Sequence, residues 1–198
     1  MARHSIREEL YGVLAFVGFI WFVFLIGYIL PFRLDSFGIT PRTTRGLVGI
    51  VASPFLHANW AHITSNTIPL TVLLVLLAGS RAASWAIVIS IVLLSGALVW
   101  LFARPATHIG ASSLIYGLVA YLFVSGIREQ RLVPMLIAIV VGFLYGGSLA
   151  AGVVPRIGSQ VSWEGHLFGA IAGGIIAYLM TRQTYGPGIR SQLSSGEI

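Results

Sequence analysis

Several polar residues whose types could perform chemistry lie inside a chain that is otherwise strongly apolar. The first group is the segment HANWAHITSN, in which His62 and Asn66 are four residues apart and therefore share one face of a helix. A histidine and an asparagine can both donate hydrogen bonds to a developing negative charge. Hydrogen bonding between neighbouring helices, which is common for both residue types in membranes, is the structural alternative for this pair.

A second group opens another apolar run, in the segment HIGASSLIYG. Ser112 and Ser113 follow Gly110 closely, and Tyr116 comes one helical turn after Ser112 and so lies on the same face. A serine hydroxyl at such a position is a candidate nucleophile. The structural alternative is that a serine caps the helix while the small residues pack against a neighbour.

The third group is the segment EGHLFGAIAGG, which places a histidine on a face lined by glycines. His166, Gly169 and Gly173 fall at i, i+3 and i+7, so a neighbouring helix can approach closely along this face. His166 then lies where two helices are nearest to each other. A buried histidine bonded to a backbone carbonyl is the structural alternative.

Together, the three groups supply the parts of an acyl-transfer site: a hydroxyl nucleophile, an imidazole that could remove its proton, and donors for an oxyanion. All six carboxylates lie outside the apolar runs or at their ends, so none is well placed to orient a deeply buried histidine. This arrangement favours a Ser–His dyad over a Ser–His–Asp triad. No H-x-x-x-H or H-E-x-x-H spacing occurs, so we predict neither a metal site nor a cofactor.

The composition places these groups in a membrane protein. Hydrophobic residues make up 57% of the 198 residues and charged residues 9%, whereas a soluble domain carries about 25% charged residues. The net charge of +6 comes from scattered arginines without a basic cluster, so we expect no nucleic-acid partner. Because the chain has no cysteine, disulfides and thiolate catalysis are excluded.

Six apolar runs must position these groups. The length of each run is close to that of a membrane-crossing helix, about 20 residues. Because backbone groups in hydrocarbon have to bond internally, we expect each run to be a helix. The predicted spans are about 11–30, 62–79, 84–102, 112–126, 133–154 and 163–180. We therefore predict an all-α, polytopic membrane protein with six transmembrane helices. The predicted parts are an N-terminal segment (1–10), a membrane domain (11–181) and a polar C-terminal tail (182–198).

Two segments of this bundle raise questions of packing. The connection between the first two spans, about 31–61, is long and carries Leu47, Ile50 and Val51 at helical spacing. A connection of that length with an apolar face is unlike a plain linker, so we expect it to lie at the membrane interface and pack onto the bundle. The fifth span contains three glycines, Gly142, Gly146 and Gly147. They leave two interpretations open: tight helix contact, or loose packing suited to a movable gate.

Arginine counting orients the bundle in the membrane. With the N-terminus inside, the cytoplasmic segments contain Arg3, Arg7, Arg81, Arg128, Arg131, Arg182 and Arg190. The opposite side contains Arg33, Arg42, Arg45, Arg104 and Arg156. The excess favours cytoplasmic N- and C-termini, with the cell membrane as the expected location. No internal repeat is evident, which argues against the duplicated architecture of many transporters.

In combination, the three polar groups resemble the motifs of the rhomboid family of intramembrane serine proteases, over about residues 38–174. That family shows a histidine-rich entry to its second helix, a G-x-S-G followed by a tyrosine at its fourth, and a histidine followed by spaced glycines in its sixth. HANWAHITSN, GASSLIYG and GHLFGAIAGG are similar to these motifs. Two features depart from the pattern. Ser113 replaces the second glycine, and the Trp–Arg pair of the first loop is absent, so we expect Arg42 or Arg45 to hold that loop.

The resemblance implies a rhomboid-like bundle in which Ser112 is the nucleophile and His166 the general base. It also implies an oxyanion hole and a set of supporting residues around this dyad. The implied oxyanion donors are the backbone N–H of Ser112 and the side chains of His62 and Asn66. The implied supporting residues are Gly110, Tyr116, Gly169 and Gly173.

On this interpretation the protein is an endopeptidase that hydrolyses transmembrane segments of other proteins within the lipid bilayer. A substrate helix would unwind locally, Ser112 would attack its carbonyl, and Tyr116 would hold the ring of His166 by stacking. Because water must reach the acyl-enzyme, we expect a polar cavity at the dyad that opens to the non-cytoplasmic side. The alternatives are a catalytically inactive rhomboid-like protein that binds membrane clients, and a small transporter.

Overall fold

The computed structural model describes residues 6–30, 33–81, 84–155 and 162–181. Within these ranges the chain forms seven α-helices, with 3₁₀ turns at Leu34–Phe37 and Ser53–Phe55. The helices are α1 (Ile6–Ile29), α2 (Gly46–Ala52), α3 (Trp60–Ser80), α4 (Ser84–Phe102), α5 (Ser112–Glu129), α6 (Leu132–Gly152) and α7 (Trp163–Met180). The predicted tail, 182–198, the first half of the predicted N-terminal segment, and Arg156 lie outside the described residues.

Each predicted apolar run corresponds to one helix, and the all-α prediction is confirmed for the described residues, which contain no strand beyond an isolated bridge. Two helix ends differ from the prediction by more than two residues. α1 already includes Ile6, five residues before the predicted start, and Glu8 and Glu9 in its first turn interact favourably with the helix dipole. α5 continues to Glu129, which forms an ion pair with Arg81 at the end of α3.

Four of the helices, α1, α3, α4 and α6, are long and apolar enough to cross a membrane. Large apolar side chains cover their outward faces, and Phe143 on α6 is 87% exposed. A continuous apolar surface of this kind fits a lipid environment and supports a polytopic membrane protein. The remaining long helices, α5 and α7, pack against each other, and α5 also contacts α3, α4 and α6.

α5 and α7 share the most extensive helix contact among the described residues, and backbone atoms make it. A Cβ atom at Gly169 would lie 2.1 Å from the carbonyl oxygen of Ser113, and one at Gly173 would lie 1.9 Å from that of Gly117. Real Cβ atoms never come so close, so both positions require glycine. The prediction that the glycine-lined face of the sixth span receives a neighbouring helix is confirmed.

α6 has the smallest buried share of the four apolar helices. At Gly146 and Gly147 nothing lies within 4 Å of the position a Cβ atom would take, whereas Gly142 rests against the ring of Phe123. The interpretation of Gly146 and Gly147 as sites of tight helix contact is therefore wrong. α6 instead contacts α5 near its N-terminal end, where a Cβ atom at Gly126 would lie 2.3 Å from the carbonyl oxygen of Pro134, and at its C-terminal end, where Gly152 lies against Tyr116.

The long connection between α1 and α3 contains α2, as the helical spacing predicts, but its apolar residues are divided. Ile50 packs against α4, whereas Leu47 and Val51 are 45% and 58% exposed. The buried face of α2 consists instead of Gly46 and Gly49, which let its backbone lie directly against the preceding part of the loop. The expected packing onto the bundle is thus made at Ile50, against Gly96 of α4, and the side chains of Leu47 and Val51 are exposed.

Arg42, and not Arg45, fastens this loop to the bundle. The backbone N–H of Arg42 donates to the carbonyl of Trp100 at 3.0 Å. Its guanidinium donates to the carbonyl of Leu101 at 3.0 Å, in the last turn of α4, where carbonyls have no partner in the helix, and to that of Ala103 at 2.9 Å, just after the helix. Within the described residues, the guanidinium of Arg45 donates to the hydroxyl of Ser36 and lies over the ring of Phe37, and both of these residues belong to the loop itself.

Replacing Arg42 by alanine should therefore loosen the first loop and lower thermal stability. We expect the free energy of unfolding to fall by about 1 kcal/mol. A hydrogen bond to a charged group contributes about 1.5–3 kcal/mol, and the loss is smaller here because water can replace the exposed guanidinium. Thermal unfolding in one detergent measures this loss, and Arg45→Ala is the matched control with the smaller expected effect. Equal shifts for the two variants would contradict the anchoring role of Arg42.

Candidate active site

The loop before α5 brings the predicted nucleophile segment against α3. Gly110 has a φ of +111°, a conformation that L side chains rarely adopt, and its N–H donates to the carbonyl of Ser53 at 2.9 Å. A Cβ atom at Gly110 would lie 2.5 Å from Nε2 of His62. The missing side chain therefore allows both the turn and the close approach of His62. Ser112 follows as the first residue of α5.

Neither serine of this segment caps α5. The capping residue is Ala111, and in the described part of the chain the hydroxyls of Ser112 and Ser113 make no hydrogen bond. Ser112 is half-buried. Ser113 turns toward α7, where its Cβ lies 4.0 Å from the Cβ position of Gly165. The helix-capping alternative is therefore wrong, and the Ser112 hydroxyl has no structural bond to lose.

His166 is held by two contacts of different kinds. Its ring stacks on the ring of Tyr116, with centroids 4.1 Å apart and planes 5° from parallel. Its Nδ1 lies 3.1 Å from the carbonyl oxygen of Gly152, at the C-terminal end of α6. Because a carbonyl only accepts, Nδ1 carries a proton, and Nε2 of the neutral ring can accept one. Tyr116 donates its own hydroxyl proton to the carbonyl of Ser148 at 2.8 Å, so the end of α6 orients both rings.

Ser112 and His166 belong to the same helix contact, but no hydrogen bond between them occurs within the described residues. Tyr116 lies one turn after Ser112 on the same face of α5, and that face meets α7 at His166. Catalytic hydrogen bonds are often long in ligand-free structures and shorten when substrate binds. The Ser112–His166 dyad therefore stays a prediction.

From α3, His62 and Asn66 converge on Gly110. Nδ2 of Asn66 lies 3.5 Å from the Cβ position of Gly110, close to the ring of His62. The backbone N–H of Ala58 points at Nδ1 of His62 at 3.5 Å, the upper limit for a hydrogen bond. That contact leaves the proton of a neutral His62 on Nε2, the atom that faces Gly110. Both predicted oxyanion donors thus face the segment that leads to Ser112.

His57 touches both of these residues, although helical spacing gave it no role. Its Nε2 lies 3.0 Å from Nδ2 of Asn66, and its ring meets the ring of His62 edge-on with centroids 4.9 Å apart. Burial, followed by the charge of His62, lowers the pKa of His57 to about 4 against the opposing effect of the Phe55 carbonyl. The ring is therefore neutral at neutral pH. In the sequence, the only sign of a role for His57 was that it is a histidine. Because it precedes α3, helical spacing does not relate it to His62 or Asn66.

A second polar network joins the loop before α5 to the start of α7. Nδ1 of His108 lies 2.6 Å from Oγ of Ser162, and Ser162 also caps α7. Burial lowers the pKa of His108. The buried carboxylate of Glu164 pairs with Arg104 at 3.4 Å. This carboxylate therefore faces an arginine. The network holds the start of α5, which contains Ser112, at a fixed distance from the start of α7, which contains His166.

A cavity of about 320 Å³ lies between α1 and the first loop. Its wall includes apolar residues of α1, the charged side chains of Arg33 and Asp35, and the ring of His57. Neither Ser112 nor His166 lines it. This cavity is therefore not the one predicted beside the dyad, which stays a prediction, and it reaches the candidate site only at His57.

The chain matches the family model for the Rhomboid domain over residues 44–183, a range that contains α2 to α7 and every candidate site residue. It is 44% identical over 179 residues to uncharacterized proteins of Mycobacterium tuberculosis and Mycobacterium bovis. These alignments cover 85% of this chain and 74% of each relative. An uncharacterized protein of Mycobacterium leprae is 40% identical over 179 residues, with 85% of this chain and 70% of the relative covered.

Proposed function

Because the chain belongs to the rhomboid family, whose members are in general intramembrane serine proteases, we propose that it is a serine endopeptidase that cleaves transmembrane segments of other membrane proteins. Family membership and the four apolar helices make it an integral membrane protein. The proposed location is the cell membrane, with both termini in the cytoplasm. The proposed partners are transmembrane protein substrates and the lipid bilayer.

The proposed bundle has six membrane spans, with α5 and α7 added to the four apolar helices. α5 contacts α3, α4, α6 and α7, and these neighbours shield its polar residues and glycines from lipid. A helix that is shielded in this way can span the membrane with a lower hydropathy than a helix that faces lipid. Two contacts mark one end of the bundle: Glu9 accepts a hydrogen bond from Ser84, and Arg81 pairs with Glu129. The arginine count supports a cytoplasmic assignment for this end.

In the proposed reaction Oγ of Ser112 forms a bond to the scissile carbonyl carbon while its proton passes to Nε2 of His166. The imidazolium then gives this proton to the leaving amine, and water hydrolyses the acyl-enzyme by the reverse path. The Gly152 carbonyl, 3.1 Å from Nδ1, supports this role because it fixes the tautomer. The partial negative charge at the end of α6 favours the imidazolium, as the aspartate does in a triad.

The oxyanion in this proposal collects three donors. They are Nε2–H of His62, an N–H of Asn66 and the backbone N–H of Ser112, which as the first residue of α5 has no acceptor within the helix. By analogy with soluble serine proteases each donor would stabilise the transition state by about 3 kcal/mol. The approach of His62 and Asn66 to Gly110, two residues before Ser112, supports this assignment.

The single observation that supports the proposal most strongly is the parallel stack of Tyr116 on His166, one helical turn from Ser112. This stack supports His166 as the base, because Tyr116 falls on the same face of α5 as Ser112 and the contact with Gly152 defines the tautomer of the ring. No other described histidine combines a ring stack with a fixed Nδ1 proton in this way.

A fluorophosphonate probe tests the proposal directly, because it reacts covalently only with an activated serine. The wild type and Ser113→Ala should be labelled, whereas Ser112→Ala should remain unlabelled. Gel fluorescence of the purified proteins in detergent measures the labelling. An unlabelled but folded wild type would instead support an inactive, client-binding member of the family.

A further inference from the structure

His57 occupies a place that the proposed catalytic steps do not use. It lies between the turn Ser53–Phe55 and the start of α3, and its ring is half-buried. Its Nε2 lies 3.0 Å from Nδ2 of Asn66, and its ring edge meets His62. His57 therefore contacts both proposed oxyanion donors, and no hydrogen bond joins it to Ser112 or His166 in the described part of the chain.

The direction of the hydrogen bond between His57 and Asn66 follows from amide chemistry. Nδ2 of Asn66 has two hydrogens and accepts none, so it donates to Nε2 of His57. The ring of His57 is then neutral, with its proton on Nδ1. That Nδ1 atom is buried and has no hydrogen-bond partner among the described residues. Burial lowers the pKa of His57, but the nearby Phe55 carbonyl opposes this effect and favours a proton on this ring.

An oxyanion donor is effective when it is aimed before the negative charge develops. The amide of Asn66 can rotate about its last side-chain bond, and rotation would misalign both of its N–H groups. With one N–H held by His57, the amide plane is fixed and the other N–H has a single direction. Nδ2 lies 3.5 Å from the Cβ position of Gly110, so this direction is limited to the neighbourhood of the nucleophile segment.

We infer that His57 is a positioning residue that holds the Asn66 amide in the orientation needed for oxyanion stabilisation, an inference that rests on the proposed protease function. His57 itself touches no reacting atom in this scheme. Its effect on the reaction passes entirely through Asn66. Loss of His57 should therefore slow the chemical step and leave substrate binding nearly unchanged.

Two substitutions of similar polarity separate positioning from general support of the fold. His57→Gln puts a side-chain oxygen about where Nε2 lies, so it can still accept from Asn66, whereas His57→Asn is one methylene shorter and cannot reach. We expect His57→Asn to lower kcat by about tenfold to a hundredfold, a part of the loss that follows deletion of an oxyanion donor. KM should change little, and His57→Gln should retain most of the kcat.

A double-mutant cycle with Asn66→Ala gives the decisive comparison. Asn66→Ala alone should lower kcat by about a hundredfold to a thousandfold. Adding His57→Asn should then lower kcat little further, because no amide remains to be positioned. Additive losses, or equal kcat values for His57→Asn and His57→Gln, would overturn the inference.

The tautomer of His57 provides a readout that does not depend on the stability of its variants. In ¹⁵N-histidine-labelled wild type, NMR should show His57 protonated on Nδ1, and Asn66→Ala should lose this preference. A wild-type His57 protonated on Nε2 would overturn the inference. A wild type that neither reacts with the fluorophosphonate nor cleaves substrate would refute the protease function, whereas an active wild type with an equally active His57→Asn would refute the positioning role alone.

Discussion

Replacing Ser112 by alanine should reduce cleavage of a transmembrane substrate to the background rate, a loss of about 10⁵-fold or more in kcat. The Ser112 oxygen is the atom that would form the acyl-enzyme, and alanine supplies no replacement. We expect the variant to fold normally, because the hydroxyl makes no hydrogen bond within the described residues and the side chain is half-buried. Product formation from a labelled single-span substrate in proteoliposomes measures the loss.

Ser113→Ala is the matched control for this experiment. Ser113 is the next residue, but its side chain faces Gly165 of α7, so its removal should leave most of the activity. If Ser112→Ala still cleaves while Ser113→Ala does not, the nucleophile is Ser113. If both variants cleave like the wild type, the Ser–His proposal is wrong.

Replacing His166 by alanine should lower kcat nearly as much as the loss of Ser112, because nucleophile and base act as a unit. For the same reason, the double variant Ser112→Ala/His166→Ala should be no slower than either single variant. His166→Ala should also unfold at a lower temperature than Ser112→Ala. It loses the stack on Tyr116, worth about 0.5–1.5 kcal/mol for an aromatic pair, and the bond to Gly152.

Initial rates in proteoliposomes and thermal unfolding in detergent test the two parts of this expectation separately. Tyr116→Phe is the control, since it keeps a ring for the stack and removes the hydroxyl that bonds the Ser148 carbonyl. It should retain much more activity than His166→Ala. Substantial cleavage by a folded His166→Ala variant would assign the base to another residue.

Several features could be predicted because they depend on residues close together in the sequence. The apolar runs predicted every long helix, since backbone groups in lipid must bond within their own segment. The spacing of Gly169 and Gly173 predicted a close helix neighbour on this face of α7, because a glycine stripe is a local property of one helix, and the structure shows that this neighbour is α5. His62 and Asn66 likewise lie on one side of α3, and both face Gly110.

Other features could not be predicted because their partners are backbone atoms, which are alike at every residue. The carbonyl of Gly152, which holds His166, belongs to a different helix and has no signature in the sequence. The same holds for the α4 carbonyls that bind Arg42, so the sequence left the choice between Arg42 and Arg45 open. Ala111 replaced the serines as the cap of α5 for a related reason: the turn at Gly110 determines where the helix begins.

The sequence by itself determined the class of protein, the positions of its helices and the residue types available for acyl transfer. Those follow from composition and from contacts within single helices. Only the tertiary structure decided which atoms orient the histidine, and it brought His57 against Asn66 from outside the helix pattern. The physical reason is that hydrogen-bond direction and ring tautomer depend on how separate segments meet in space, which residue spacing along one helix does not specify.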